Sequence, residues 1–104
     1  MSTAIESNLI IEMSQAYNSH FMKNSNTGEA LLHMMESCQL MHPKLRNIDS
    51  KSILALLSHG KTFSNRAQLR NFAVDVIVYL IEDVVGSKYS RAELTEATQE
   101  KIKL

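Results

Sequence analysis

The longest apolar repeat in the chain begins at Leu69 and constrains the fold more than any other feature. Its apolar residues recur at steps of three and four: Leu69, Phe72, Ala73, Val76, Ile77, Leu80, Ile81 and Val84. That spacing gathers them on one side of an α-helix for more than four turns. Valine and isoleucine also suit strands, but the length of the repeat and the spacing of its charges favour a helix near residues 65–85, capped by Ser64 or Asn65.

Three further valines, Val74, Val78 and Val85, extend the apolar face around this helix. A helix that is apolar around most of its circumference has to be covered on more than one side. We therefore expect either a central position in the fold or contact with a second subunit. In the second case these valines would form the dimer or partner interface.

Two helices are predicted before Pro43. Apolar residues from Ile5 to Phe21 recur at helical steps and predict a helix near residues 3–23, which the polar, glycine-containing run 24–28 ends. Asn26 and Glu29 have the spacing of a capping box and start a second helix near residues 27–41, because Pro43 disfavours helical geometry in the residue before it. The expected buried residues of this helix are Leu31, Met34, Met35, Cys38 and Met41.

Two short helices are predicted on either side of the long one. Asp49 can cap a helix near residues 50–59, and Gly60 supplies the left-handed residue that ends many helices. Ser90 and Glu93 form a capping box for a last helix near residues 91–102. The residues expected to be buried in the first of these two helices are Ile53, Leu54, Leu56 and Leu57.

The length of 104 residues, with 44% hydrophobic residues and one proline, suits one globular domain. We expect an all-α fold, a compact single-domain bundle of four to five helices that dimerises. No stretch reaches the roughly 20 apolar residues of a membrane span. A single cysteine and the lack of a leader pattern at the start of the chain predict a cytoplasmic location.

No residue pattern predicts catalysis, a cofactor or a metal site. The triplet Gly60-Lys61-Thr62 matches the end of a phosphate-binding loop, but Ala55 stands where that loop requires a glycine. Cys38 and His42 are four residues apart among methionines, but Pro43 should unwind the helix at His42, and methionines at core spacing are packing residues. We therefore expect no enzyme activity, no cofactor, no metal and no small-molecule substrate.

Charge is distributed unevenly, although the formal net charge is zero. Residues 1–41 carry a net charge of −3, residues 42–70 carry +5 and residues 71–104 carry −2. The basic side chains of the middle segment are Lys44, Arg46, Lys51, Lys61, Arg66 and Arg70. A short helix, a turn and a longer helix in this segment have the order of a helix-turn-helix, so the segment predicts a surface for nucleic acid or for an acidic partner.

The order of motifs after residue 27 also suggests a family. A helix start, Gly28-Glu29-Ala30-Leu31, is followed by a short apolar helix with Lys51 near its beginning, and then by a longer helix in which Arg70 precedes the apolar repeat. In these features the chain resembles the small bacterial biofilm-development regulators typified by AriR, also called YmgB. The resemblance implies an all-helical cytoplasmic dimer that modulates gene expression.

The sequence as a whole predicts a small regulatory protein that acts by binding. Its partners would be a second copy of the chain and either another protein or nucleic acid, without a membrane. One interpretation is a transcriptional modulator that contacts nucleic acid through the basic middle segment. The alternative is an adaptor or inhibitor of the kind that phages and plasmids encode, which binds a protein and makes no contact with nucleic acid.

Overall fold

The computed structural model describes residues 3–102, with the side chains of that range apart from those of residues 3–7 and 24. Within residues 3–102 there is no strand, so the prediction of an all-α fold is confirmed. Dimerisation stays a prediction, and the side chain of Ile5 lies outside the described residues. The five α-helices of this range are α1 (Thr3–Asn24), α2 (Thr27–Ser37), α3 (Ser50–Ser58), α4 (Arg66–Tyr79) and α5 (Arg91–Lys101).

Capping side chains explain why four of these helices begin where the sequence predicts. The Asn26 side chain accepts a hydrogen bond of 2.9 Å from the amide of Glu29, and at α5 Ser90 and Glu93 form a reciprocal capping box. Asp49 and Asn65 cap α3 and α4 in the same way. These contacts satisfy amide groups that have no partner within the helix, so they fix each N-terminus locally.

The second helix ends earlier than predicted. After Ser37 the chain tightens into a 3₁₀ turn, Cys38–Leu40, and His42 is extended (φ −146°, ψ 134°), as expected before Pro43. Because a 3₁₀ turn has three residues per turn, the 3.6-residue register is lost beyond Cys38. Met41, predicted to be buried, is 38% exposed for this reason.

Helix α4 lies at the centre of the molecule and contacts all four other helices. It continues without a break into a π-helical segment, Leu80–Gly86, which ends at Gly86 with φ +94°. Val74, Val78 and Val85 are 1, 2 and 8% exposed, so helices of the same chain cover them. The apolar excess of α4 is thus buried within one chain, and these valines give no reason to expect a second subunit.

Helix α3 is packed much less than its sequence predicts. None of its nine residues is buried, and Leu56 is 67% exposed. Ile53, Leu54 and Leu57 are only half-buried. The prediction of burial is wrong for Leu56, whereas Ile53, Leu54 and Leu57 are partly buried and pack against the core. Among the helices, α3 makes its main contacts with α2 and α4.

Candidate interaction surface

Half of the predicted basic group is engaged within the molecule. The Lys44 ammonium donates a hydrogen bond of 3.3 Å to the carbonyl of Val85, at the end of the π-helical segment. The Arg70 guanidinium donates to the carbonyl of Gln99 on α5. The third engaged cation, Lys61, pairs with the carboxylate of Asp75 on α4. These side chains therefore hold elements of the fold together.

The basic group is also spread along the molecule. Arg46, Lys51 and Arg66 are exposed. Arg66 begins α4, whereas Lys44 binds near the end of the continuous helix Arg66–Gly86, which is about 30 Å long at roughly 1.5 Å per residue. The structure does not gather the six basic side chains into a single patch.

The helix-turn-helix order does not produce the exposed recognition helix that such a motif needs. Six residues of α4 are buried, and its exposed positions are Arg66, Ala67, Asn71 and Asp75. This narrow strip has a base at its first residue and an acid two to three turns later. Helix α4 is the centre of the core instead.

The structure does present an apolar surface on α3, which we call the α3 surface. It consists of Leu54, Ala55 and Leu56 together with Phe63, which lies in the loop before α4 and is 39% exposed. The Phe63 ring lies 5.0 Å from the ring of Phe72, tilted by 55°. Leu54, Ala55 and Phe63 line one groove, whereas Leu56 is not among its lining residues and lies about 100° around the helix from Ala55. Scattered exposed leucines are normal in monomeric proteins, but adjoining apolar side chains are typical of a binding site.

A groove with a volume of about 300 Å³ lies within the α3 surface. The N-terminus of α2, helix α3, the loop after it and helix α4 all contribute to its lining, and none of the lining residues is charged: Thr27, Gly28, Leu54, Ala55, Ser58, Phe63, Leu69 and Phe72. Both hydroxyl groups are engaged within the chain, since the Thr27 hydroxyl contacts that of Tyr17 and the Ser58 hydroxyl donates to the Ala55 carbonyl. The groove is therefore suited to an apolar side chain.

A second, polar groove of about 350 Å³ shares Phe63 and Phe72 with the first. Gly60, with φ +74°, turns the chain into this groove, and the triplet that matches a phosphate-binding loop lies here. The Lys61 ammonium lies 3.3 Å from the Asp75 carboxylate and 5.6 Å from the centre of the Phe72 ring. The lysine of the triplet therefore already has an acid as its partner.

Two basic residues stand beside the apolar groove by helical register. Lys51 precedes Leu54 and Ala55 by three and four residues, so it shares their face of α3. Arg66 precedes Leu69 by three residues on α4. The nearest acid along the chain is Glu29, which follows Gly28. Asp49, at the start of α3, has its pKa lowered by hydrogen bonds from Ser52 that hold it as a cap.

The structure also gives the positions of the side chains that were considered for chemistry. Within residues 3–102, no three His, Cys, Asp or Glu side chains are grouped as metal ligands would be. Cys38 is buried, and desolvation together with the carboxylate of Glu12 raises the pKa of its thiol to about 11. The rings of His20 and His33 stack with their centres 4.6 Å apart between α1 and α2, as a packing contact.

Sequence reasoning missed Leu56 and Phe63 as surface residues. A signal was present in the run of five apolar residues at positions 53–57 of a nine-residue helix, because such a run covers the whole circumference while a peripheral helix buries one side. A phenylalanine within an otherwise polar turn was the second signal. Which side of α3 stays uncovered depends on tertiary packing.

Comparisons of the chain with protein-family models, with characterised proteins and with solved structures found no match. The resemblance to the biofilm-development regulators therefore stays a prediction. In the part of the chain that the structure describes, no helix combines the length and the apolar character needed to cross a bilayer.

Proposed function

We propose that this chain is a small interaction protein that binds another protein through the α3 surface. The observation that carries the proposal is that α3, although largely apolar, buries none of its nine residues. Burying one leucine side chain contributes about 1.5–3 kcal/mol. The free chain forgoes this gain at Leu56, which is 67% exposed, and a partner that covers α3 would recover it.

The groove chemistry favours binding over a reaction. An enzyme site needs a nucleophile or an acid–base group that can reach a substrate. The apolar groove has only two hydroxyl groups in its lining, and both make contacts within the chain. The Cys38 thiol is 2% exposed and its pKa is raised, so it is not an available nucleophile.

Contact with nucleic acid is the second candidate function, and one observation favours it. Arg46, Lys51 and Arg66 are exposed and belong to the segment of net charge +5. Three cations that each neutralise one phosphate would give a slope of about −2.7 in a plot of log affinity against log salt concentration. Protein binding is preferred because apolar side chains, which contribute little to phosphate recognition, make up most of the α3 surface.

Position-specific crosslinking tests the proposal. A photoreactive phenylalanine analogue replaces Leu56 in one variant and Met22 in another, which is 80% exposed on α1 and serves as the matched control. After irradiation in a lysate of the source cells, we expect the variant at position 56 to form a discrete covalent adduct with another protein. The variant at position 22 should not form this adduct.

The crosslinks have three other informative outcomes. No adduct at position 56, or the same set of adducts at both positions, would remove the α3 surface as the binding site. An adduct at position 56 that contains only two copies of this chain would show self-association in place of binding to another protein. Adducts with nucleic acid at position 56 would favour the second candidate function.

A further inference from the structure

We infer that α5 is a strap that opens and closes over an unpartnered hydroxyl group of α1 while helices α1 to α4 stay folded. The strap is separate from the α3 surface, since α5 makes its main contacts with α1 and α4, whereas α3 makes its main contacts with α2 and α4. Three observations on α5 and its contacts support the inference.

The first observation is how little of α5 is buried. Helices α2 and α5 have eleven residues each, yet α2 buries five of them and α5 only two, Leu94 and Thr98. One further apolar side chain, Ile102, is buried directly after the helix. A helix of this length is marginal in water by itself and depends on packing. Because few apolar contacts hold α5, its opening requires much less free energy than unfolding of the whole chain.

The second observation is a buried hydroxyl group without a partner. Ser14 of α1 is 1% exposed, and its hydroxyl has no hydrogen-bond partner among the residues that the structure describes. The buried hydroxyl of α5, that of Thr98, donates instead to the carbonyl of Leu94 in its own helix, at 2.7 Å. A buried polar group without a partner destabilises the state in which it is buried.

Ser14 lies on the side of α1 that faces α5. Asn18, one turn later on the same side, donates a hydrogen bond of 2.8 Å to the carbonyl of Lys101. Ser14 and Asn18 also line a cleft with a volume of about 290 Å³, and Glu100 and Lys101 of α5 contribute to the same lining. Opening of α5 therefore lets water reach the Ser14 hydroxyl, which relieves the loss of hydrogen bonding in the closed state.

The third observation is that the polar contacts which hold α5 are exposed. At the start of α5, the Arg91 guanidinium lies 2.6 Å from the Glu82 carboxylate and 3.3 Å from that of Asp83. Near its end, Asn18 and Arg70 donate hydrogen bonds to carbonyls of α5. Water can replace exposed contacts of this kind with little loss of free energy. The open state then presents the sides of α1 and α4 that α5 covers in the closed state.

Hydrogen exchange measured by mass spectrometry on the full chain tests the inference. The exchange rate of an α5 amide reports the fraction of molecules in which α5 is open. After correction for intrinsic rates, we expect the amides of α5 to exchange together and at least about a hundredfold faster than those of the buried part of α4, residues 72–78. Equal rates in the two helices would mean that α5 opens only when the whole chain unfolds, and the inference would be wrong.

Two alanine variants test the role of the hydroxyl group. Ser14→Ala removes it, whereas Ser19→Ala makes the same change at an exposed position of α1 and is the matched control. We expect Ser14→Ala to slow the exchange of α5 by about fivefold or more, because loss of an unpartnered buried group stabilises only the closed state. Ser19→Ala should leave the exchange of α5 unchanged, because α1 is helical in both states.

Two results with these variants would overturn the inference. If Ser14→Ala leaves the exchange of α5 unchanged or makes it faster, the hydroxyl group does not favour opening. If both variants slow it equally, the effect comes from the higher helix propensity of alanine, and α1 must unfold together with α5. Circular dichroism shows whether both variants keep the helix content of the wild-type chain.

Discussion

One residue of this chain occupies a position where the opposite charge would stabilise the fold. Arg66 is the first residue of α4, and the first turn of this helix contains no acid. Its side chain is exposed, so it does not gain from burial what it loses to the helix dipole. Lys51 of α3 differs, because its charge interacts with the carboxylate of Asp49, the cap of that helix.

We predict that Arg66→Glu raises the free energy of unfolding by about 0.3–1 kcal/mol at low salt. For a domain of this size the melting temperature should rise by a few degrees, since 1 kcal/mol corresponds to about 4–8 °C. Thermal unfolding followed by circular dichroism measures this change. Lys88→Glu, in the loop after Gly86, is the control and should have no such effect.

The gain should shrink as salt is added, because the interaction with the dipole is screened. If Arg66→Glu is less stable than wild type at low salt, then Arg66 makes a stabilising contact in the folded chain.

At the scale of the helices, the boundaries that the sequence predicts best are those with a capping side chain. Asn26, Asp49, Asn65 and Ser90 each bond to an amide three residues later, and this contact involves only neighbours in the chain. The sequence patterns did not predict the 3₁₀ turn that follows α2 or the exposure of α3. Which side of α3 is covered depends on how the helices pack, and no local pattern encodes that.

The exposure of α3 has a measurable consequence for stability. We predict that Leu56→Ser changes the free energy of unfolding by no more than about 0.5 kcal/mol, as expected for a surface substitution. Ile77→Ala in α4 should lower it by about 2–5 kcal/mol, because Ile77 is 0% exposed and its removal leaves a cavity. Urea denaturation of both variants measures the difference.

This comparison also validates the binding experiments, since a Leu56→Ser variant with wild-type stability can lose a partner only at the surface. A loss of more than 2 kcal/mol on Leu56→Ser would show that α3 is packed more tightly than its 67% exposed leucine indicates. The α3 surface would then be part of the core and not a place for a partner.

At the scale of the whole molecule, the sequence predicted the all-α architecture but not which basic side chains are engaged within the fold. The α3 surface lies within the segment that the charge distribution singled out. The basic side chains of that segment, however, lie at both ends of the helix Arg66–Gly86, and Lys44, Lys61 and Arg70 are engaged within the chain. Net charge along the sequence cannot reveal this separation. The separation depends on which cations make contacts within the folded chain.

The same separation leads to a prediction about nucleic acid. A duplex presents a continuous row of phosphates, and a protein that follows it needs several cations on one face. Here the carboxylates of Asp75, Glu82 and Asp83 lie along the helix between its two basic ends, and Arg91 is already paired with the last two. Because Lys61 and Arg91 already pair with these carboxylates, neither cation is available to neutralise a row of phosphates.

We therefore expect titration of a labelled duplex at physiological salt to give affinity no tighter than non-specific binding, with dissociation constants of about 10⁻⁴ to 10⁻⁶ M. Arg66→Ala should not weaken that binding by more than about fivefold, because each phosphate contact contributes about 0.9 log units of affinity per log unit of salt concentration. Nanomolar binding that Arg66→Ala weakens strongly and that falls steeply with salt would instead assign the basic segment to nucleic acid. The apolar groove beside Arg66 would then need another explanation, since phosphates cannot fill it.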